Sequence, residues 1–410
     1  MIIFENARVF DGIAAEPIED ATVVVEGDTI KEVSDRRFGG SGERVDLAGR
    51  TLMPGLIDLH THPWISELNL GRVSRQRTEY LALHAAGSLR RSLDFGFTTL
   101  RDAGGTDPSY ALAIEKGFVP APRLFPSGRM MSQTGGHTDW REANEADRGG
   151  GNGMDDGMFR FTAVVDGPDA MRRAVREELR RGATQIKLML SGGVASPTDP
   201  LDRVQFSDEE IRVAVDEVTR RGTYCFAHCH PLNSIRKALE MGIRTIEHGT
   251  FIDDETARDV AASPDTYVVP TLAVVSALSK DGRALGLPEA SLKKLEGMHD
   301  IAMGSLEIMK RAGVKMGYGT DLLGGHQDQQ LFEFELRADV LSAHEILVSA
   351  TSLAAEILDQ KGRLGVVAPD ALADLIAIDG DPLRDVRIMN QGGRNIPMVM
   401  RGGEFHRRPG

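Results

Sequence analysis

Residues 52–63 read LMPGLIDLHTHP, and the reading of this stretch decides the fold. Residues i and i+2 of a β-strand point to one face, so an apolar strand through Leu56, Ile57 and Leu59 delivers His60 and His62 side by side at its C-terminal end. Two neutral imidazoles fixed on one rigid strand suit a divalent metal, zinc or a first-row neighbour. With 11 histidines among 410 residues, one such pair can also arise by coincidence. Its meaning depends on what the rest of the chain brings to the same place.

Outward from this stretch, between about residue 54 and residue 353, short β-rich runs alternate with longer amphipathic stretches, the pattern of β/α units on a parallel sheet. Strands are expected at Gly55–His62, Phe97–Asp102, Arg123–Gly128, Gln185–Ser191, Thr223–His230, Ile243–His248, Tyr267–Pro270 and Lys315–Asp321. Eight strands with helices between them predict an α/β fold, a (β/α)8 TIM barrel over 54–353 with its site at the C-terminal strand ends. Asp208, Glu209 and Glu210 after Ser207 place acid at a helix N-terminus, where the dipole favours it. The Gly-rich insert Met131–Gly157 lacks apolar periodicity and is placed after the third strand, over the barrel mouth. Residues 1–53 and 354–410 hold short alternating strands with Gly and Asp turns. They are expected to pair as one small composite β-sandwich with a stabilising rather than a binding role.

Composition narrows the class. Hydrophobic content of 41% with 27% charged residues is ordinary for a globular protein, and no apolar run has the length of a membrane span. The first residues, MIIFENARVFDG, read as a strand and turn instead of an export signal, so a cytoplasmic location is expected. Cys225 and Cys229 share one expected strand, where a disulfide would have to fold the strand back on itself, so both are read as free thiols. A net charge of -13 disfavours nucleic acid and anionic membrane as partners, but leaves room for a small substrate at a local cationic site. Homo-oligomerisation is left open.

Mapped onto the expected strands, the chemistry gathers at one face. His60 and His62 end the first strand, Lys187 lies in the fourth, His228 and His230 end the fifth, His248 ends the sixth and Asp321 ends the eighth. His84, His137, His299, His326 and His344 fall in helices or loops, and His406 in the tail. That distribution argues for a metal site far more strongly than one dipeptide does. Lys187 is the odd member, because an ammonium has three donors and no acceptor and repels a dication. Its residue type leaves two readings open, an ion pair with Asp102 or another acid, or a carbamate that could bridge two metals.

The set H-T-H at 60–62, Lys187 in QIKLMLSGG, His228, His248 and Asp321 in GYGTD resembles the amidohydrolase superfamily, in the subtype whose carboxylated lysine bridges two divalent metals. TTLRDAGG (98–105), SQTGGHTD (132–139), SGGVASPTD (191–199), HCHP (228–231) and GRLGVVAPDALADLIAIDGDP (362–382) are similar to one branch of it. That branch holds Xaa-Pro dipeptidases, arginine or lysine carboxypeptidase-like members and ochratoxin-hydrolysing amidohydrolases. The resemblance covers nearly the whole chain. It implies that His60, His62 and Asp321 bind a first metal, expected to be zinc, that N-carboxylated Lys187 bridges, and that His228 and His248 bind a second.

It further implies a hydroxide shared by the two ions as nucleophile, with Asp321 moving its proton to the leaving nitrogen. His137 is expected to meet the substrate carbonyl oxygen in an oxyanion role, and His230 the substrate carboxylate. Related enzymes often carry a tyrosine at the latter position. His326 is a weaker candidate for a substrate contact, and Cys229 is assigned to packing. The expected activity is hydrolysis of the amide of small N-acyl or N-aminoacyl amino acids, of dipeptidase, carboxypeptidase, prolidase or ochratoxin type. The alternatives are cyclic-amide hydrolysis of the imidazolonepropionase or dihydroorotase kind and, from another class, a non-catalytic scaffold paralogue. A deaminase would ordinarily use one metal without the bridging lysine.

Overall fold

The computed structural model describes residues 1–141, 160–196 and 199–409. The N-terminal flank forms β1 (Ile2–Val9), β2 (Ile18–Glu26), β3 (Thr29–Ser34), β4 (Glu43–Asp46) and β5 (Thr51–Pro54). In the middle, β6 (Leu56–Thr61), β7 (Phe97–Asp102), β8 (Arg123–Phe125), β9 (Met130–Ser132) and β10 (Thr162–Val164) come first. Next are β11 (Ile186–Met189), β12 (Cys225–Cys229), β13 (Thr245–His248) and β14 (Tyr267–Val269), with helices between. The C-terminal flank adds β15 (Leu375–Ile378), β16 (Met398–Arg401) and β17 (Glu404–Arg407).

The strands of both flanks hydrogen-bond into one sheet, ordered β17-β16-β15-β5-β1-β2-β3 with β4 beside β1. The expected sandwich is thus a single continuous sheet, because β5 pairs antiparallel with β15 and stitches the two ends of the chain together. The sheet turns back where Thr29 bridges Leu372 and encloses a core that includes Phe4, Val23, Val25, Leu52, Leu375 and Met400.

The middle of the chain holds two sheets, β6-β7-β8 and β10-β9-β11-β12-β13-β14, in which every pairing is parallel. Burial on both faces explains the nearly continuous apolar strands. The eighth expected strand, Lys315–Asp321, is not a regular strand, yet it is tied on both sides. Met316 bridges Val268 in parallel, Leu59 N donates to Tyr318 O at 2.9 Å and Asp321 N donates to His60 O at 2.8 Å. Two glycines permit this approach. A Cβ on Gly317 would lie 2.5 Å from Leu59 Cδ1, and one on Gly319 would lie 2.4 Å from Val269 Cγ1 and 2.9 Å from His60 Cβ.

β9 and β10 were not expected, since three-residue strands are too short to show a period of two. β9 opens the glycine-rich insert and pairs with β10 and β11; the insert from residue 142 onward lies outside the described residues. Ser207 caps the helix Asp208–Arg220 in a capping box with Glu210, and Ile211, Ala214 and Val218 bury one face of it. The helix Ser352–Ile357 crosses the 353/354 boundary and packs Ala354, Ala355 and Ile357 with Ile57, Leu59 and Val269. Among the described residues no helix is long and apolar enough to cross a membrane.

Gly319→Ala adds a methyl group between Val269 and His60, and overpacking of this kind typically costs about 1–3 kcal/mol. Denaturant unfolding should show a lower midpoint with an unchanged slope. An unchanged midpoint would contradict close packing of segment 315–321 against β6 and β14.

Candidate metal centre and active site

The ends of the parallel strands bring His60, His62, Lys187, His228, His230, His248 and Asp321 to one pocket of about 730 Å³, its open mouth included. Simple alternation explains β12: Cys225, Ala227 and Cys229 join the large apolar core, while His228 and His230 line the pocket. It does not explain β13. Thr245 and Glu247 both face Arg101, so alternation would send His248 the other way. A positive φ of 69° at His248 turns the chain and adds its imidazole to the site, and Asp321 has φ of 54°. Non-glycine residues hold such backbone only where the surroundings impose it, commonly at functional sites. On β6 the register with β7 shifts between Asp58 and Thr61, an irregularity that re-aims side chains.

The inner atoms converge. His60 Nε2 and His62 Nε2 lie 3.4 and 3.3 Å from Asp321 Oδ1, and His228 Nδ1 lies 2.9 Å from His248 Nε2. Candidate ligand atoms of His60, His248 and Asp321 fall within 4.8 Å of one another, as do those of His228, His230 and His248. His230, read from sequence as a substrate contact, therefore stands among the histidines that could hold an ion. The outer ring nitrogens are tied down: His60 Nδ1 to Glu247 Oε2 at 2.6 Å, His62 Nδ1 to Gly104 O at 2.9 Å, His228 Nε2 to Gly192 O at 3.1 Å. His230 Nδ1 and His248 Nδ1 meet Thr250 Oγ1 and Thr271 Oγ1 at 2.8 and 2.7 Å. Anchoring one nitrogen fixes ring orientation and aims the other inward, the arrangement that ligation needs.

Burial sets the charges. It pushes His60 down to about 4 and His230 to about 3, and holds His228 and His248 well below the ordinary histidine value. These imidazoles are neutral at pH 7, with lone pairs available. Burial also lowers the Lys187 ammonium to about 8, against the opposing pull of Glu247 and Asp321. Lys187 does not pair with Asp102, which accepts from Thr106 Oγ1 at 2.6 Å and Ser127 Oγ at 2.8 Å. Among the described residues its Nζ makes no hydrogen bond; it lies 5.0 Å from the Phe226 ring centroid.

His137 is buried, lines the pocket and stacks on His228 with ring centroids 4.3 Å apart. His326 does not line the pocket; its Nε2 lies 3.7 Å from Asp281. Cys229 is buried in the apolar core, away from the pocket lining. Sequence reading missed Glu247 and Arg101, both fully buried and 2.7 Å apart. The available signal was a charged residue inside each of two apolar strands. It also missed the apolar wall, which includes Ile65, Leu70, Val274, Val275, Leu278 and Leu295.

A parallel α/β scaffold that gathers histidines, a lysine and an aspartate at its strand ends defines a hydrolase class. Residues 51–405 match the model of the amidohydrolase family, and the chain belongs to that family. A crystal structure of an amidohydrolase is 45% identical, with a TM-score of 0.96 and 99% of each chain covered. A prolidase complexed with N-methylphosphonate-L-proline is 41% identical, with a TM-score of 0.95 and 99% of each chain covered. Ochratoxinase of Aspergillus niger is 29% identical over 419 residues, covering 96% of this chain and 84% of that protein.

Glu247→Gln preserves shape and removes the charge that faces Arg101 and His60. Breaking one side of a buried ion pair typically costs about 3–5 kcal/mol. Burial pushes the Glu247 carboxyl up, but Arg101 and His60 together bring it from 4.5 to about 2. Its contribution is therefore complete above the unfolded value and is lost as pH falls toward the folded one. Urea unfolding of both proteins as a function of pH should show a stability gap that narrows below about 4.5; a gap independent of pH would contradict the assignment.

Proposed function

We propose that this pocket hydrolyses the amide bond of small N-acyl or N-aminoacyl amino acids with the help of two divalent cations, zinc being the expected element. The observation that carries this reading is the convergence of six residues, His60, His62, Lys187, His228, His248 and Asp321, on one buried pocket. The donor set suits cations, since neutral imidazoles and a carboxylate are ligands for zinc and its neighbours. A buried lysine without a hydrogen-bond acceptor among the described residues suits them once it is carboxylated, and lowering to about 8 leaves a larger share of the neutral amine that reacts with carbon dioxide. In this reading His60, His62 and Asp321 hold one cation, His228 and His248 the other, and carboxylated Lys187 lies between. Cations so held supply Lewis acidity toward a carbonyl oxygen and toward water.

The remaining steps belong to the chain's own groups. Burial raises the Asp321 carboxyl, but His60 and His62 outweigh it and hold it below the ordinary aspartate value, so it is ionised at neutral pH, the form that would accept a proton from water. It then delivers that proton to the leaving nitrogen. His137 meets the carbonyl oxygen where negative charge develops, and His230 contacts the carboxylate of the released amino acid. The scaffold is read as one closed (β/α)8 barrel over 54–353, with β6, β7, β8, β11 to β14 and segment 315–321 as its staves. Residues 1–53 and 354–410 form its composite β-domain.

The apolar wall bears on choice of substrate. Among the described residues Asp321 is the only acid that lines the pocket, so among them a cationic leaving residue finds no free partner, whereas proline, leucine or phenylalanine meets aliphatic side chains. The prolidase and ochratoxinase relatives are in keeping with this reading.

The zinc- and bicarbonate-treated protein should cleave Xaa-Pro, Xaa-Leu, Xaa-Phe or the N-acetyl amino acids at least about 10-fold faster than Xaa-Arg or Xaa-Lys. Cyclic imides should be left intact. Turnover of cyclic imides alone would replace the reading with cyclic-amide hydrolysis. No turnover of any compound in the panel would favour a scaffold role.

A further inference from the structure

Two glycine-rich motifs that the metal ligands leave unexplained, SQTGGHTD (132–139) and SGGVASPTD (191–199), meet in space. Gly193 lies flat against His137: a Cβ there would sit 2.2 Å from Cε1 and 2.5 Å from Nε2 of the ring. Asp199 Oδ2 lies 3.4 Å from His137 Nδ1 and also accepts from Gly193 N at 3.2 Å and Gln205 Nε2 at 3.3 Å. Gln205 Oε1 in turn accepts from His137 N at 3.0 Å. The ring is thus held at its backbone by Gln205 and stacked on by His228, while its buried Nδ1 edge faces Asp199 with no hydrogen-bond partner among the described residues.

Lys294, on the helix Glu289–Leu295, secures this assembly from a distant part of the chain. Its ammonium donates to Gly193 O at 2.8 Å, to Ser196 O at 2.7 Å and to Asp199 O. Three donors meet three carbonyls, so its hydrogen-bonding capacity is spent on the backbone of the second motif. Its Nζ also stands 3.6 Å from Asp199 Oδ1, a buried oxygen with no hydrogen bond of its own. That ammonium compensates a carboxylate only 4% exposed.

We infer that Asp199 is a positioning residue for His137 and that Lys294 is the latch that keeps Asp199 in place. The inference rests on the reading of the pocket as an amide-hydrolysing site. The carboxylate stands where it would accept from His137 Nδ1–H, a bond that would set the ring plane and leave Nε2 for the substrate. The carboxylate also offsets the positive charge that the ring carries when Nε2 donates to a developing oxyanion, a service that aspartates perform for imidazoles in hydrolases.

Asp199→Asn keeps the shape and removes the charge. In the full-length, zinc-loaded enzyme it should lower kcat at least about 10-fold with KM within about threefold. In a His137→Gln background the same change should add less than about twofold. Lys294→Met should reproduce part of the loss. Independently of turnover, the imidazole proton–nitrogen correlation spectrum should contain a downfield Nδ1 proton that is missing in His137→Gln and shifted in Asp199→Asn. An equal loss in both backgrounds would mean that Asp199 acts through the fold and would overturn the inference, as would an unchanged kcat. Absence of the downfield proton overturns it even in a protein that cleaves none of the amides. The proton present in a protein without turnover upholds the dyad and removes only the proposed function.

Discussion

The carboxylate of Glu247 ties the interior of the molecule together. It accepts from Arg101 Nη2 at 2.7 Å and meets His60 Nδ1 at 2.6 Å, and Arg101 also donates to Leu59 O at 2.6 Å and Thr245 Oγ1 at 2.8 Å. Three strands, β6, β7 and β13, are joined by these few bonds. A buried ion pair repays its desolvation only when its donors and acceptors are matched, and here the contacts run through a chain of strand residues to the His60 ring. The orientation of His60 fixes the face that meets Asp321, and Asp321 in turn faces His62. A loose Glu247 would therefore be felt throughout the cluster of candidate ligands.

The pocket has two parts with different origins. Its floor is polar and comes from strand ends: β11, β12 and β13 are held by parallel pairing on both sides, while β6 pairs with β7 and is tied to segment 315–321 by single hydrogen bonds. Part of its wall is apolar and comes from the helices Leu272–Asp281 and Glu289–Leu295, through Val274, Val275, Leu278 and Leu295. Rigid strands suit residues that must converge to within a few ångströms, and helices at the rim can change side chains without moving the floor. In the proposed function, chemistry and substrate choice would in this way be carried by separate elements.

The shared place of the candidate ligands was legible because strand alternation and the C-terminal ends of strands are local properties: His60, His62, Lys187, His228 and Asp321 could each be brought to one pocket from a few neighbours. Glu247 was hidden because alternation admits only one of Glu247 and His248 to the interior, and the left-handed backbone at His248 admits both. Segment 315–321 carries a strand-like sequence, yet Gly317 and Gly319 let it approach β6 and β14 without regular pairing. The single flank sheet depends on β5 meeting β15 across more than three hundred residues, a pairing that periodicity cannot report. Asp199 and Gln205 reach His137 from the one segment between β11 and the helix Asp208–Arg220, and Lys294 meets that segment from a distant helix, so the motif at 191–199 was visible in the sequence but its partners were not.

In the proposed function Lys187 would separate a two-cation centre from a one-cation centre, because carboxylation would turn a repelling ammonium into a bridging anion. Elemental analysis of the protein reconstituted with zinc and bicarbonate tests this most directly. The wild type should hold about two zinc ions per chain, and Lys187→Ala about one or fewer under the same conditions. One ion or none in the wild type, or two in the variant, would contradict the account.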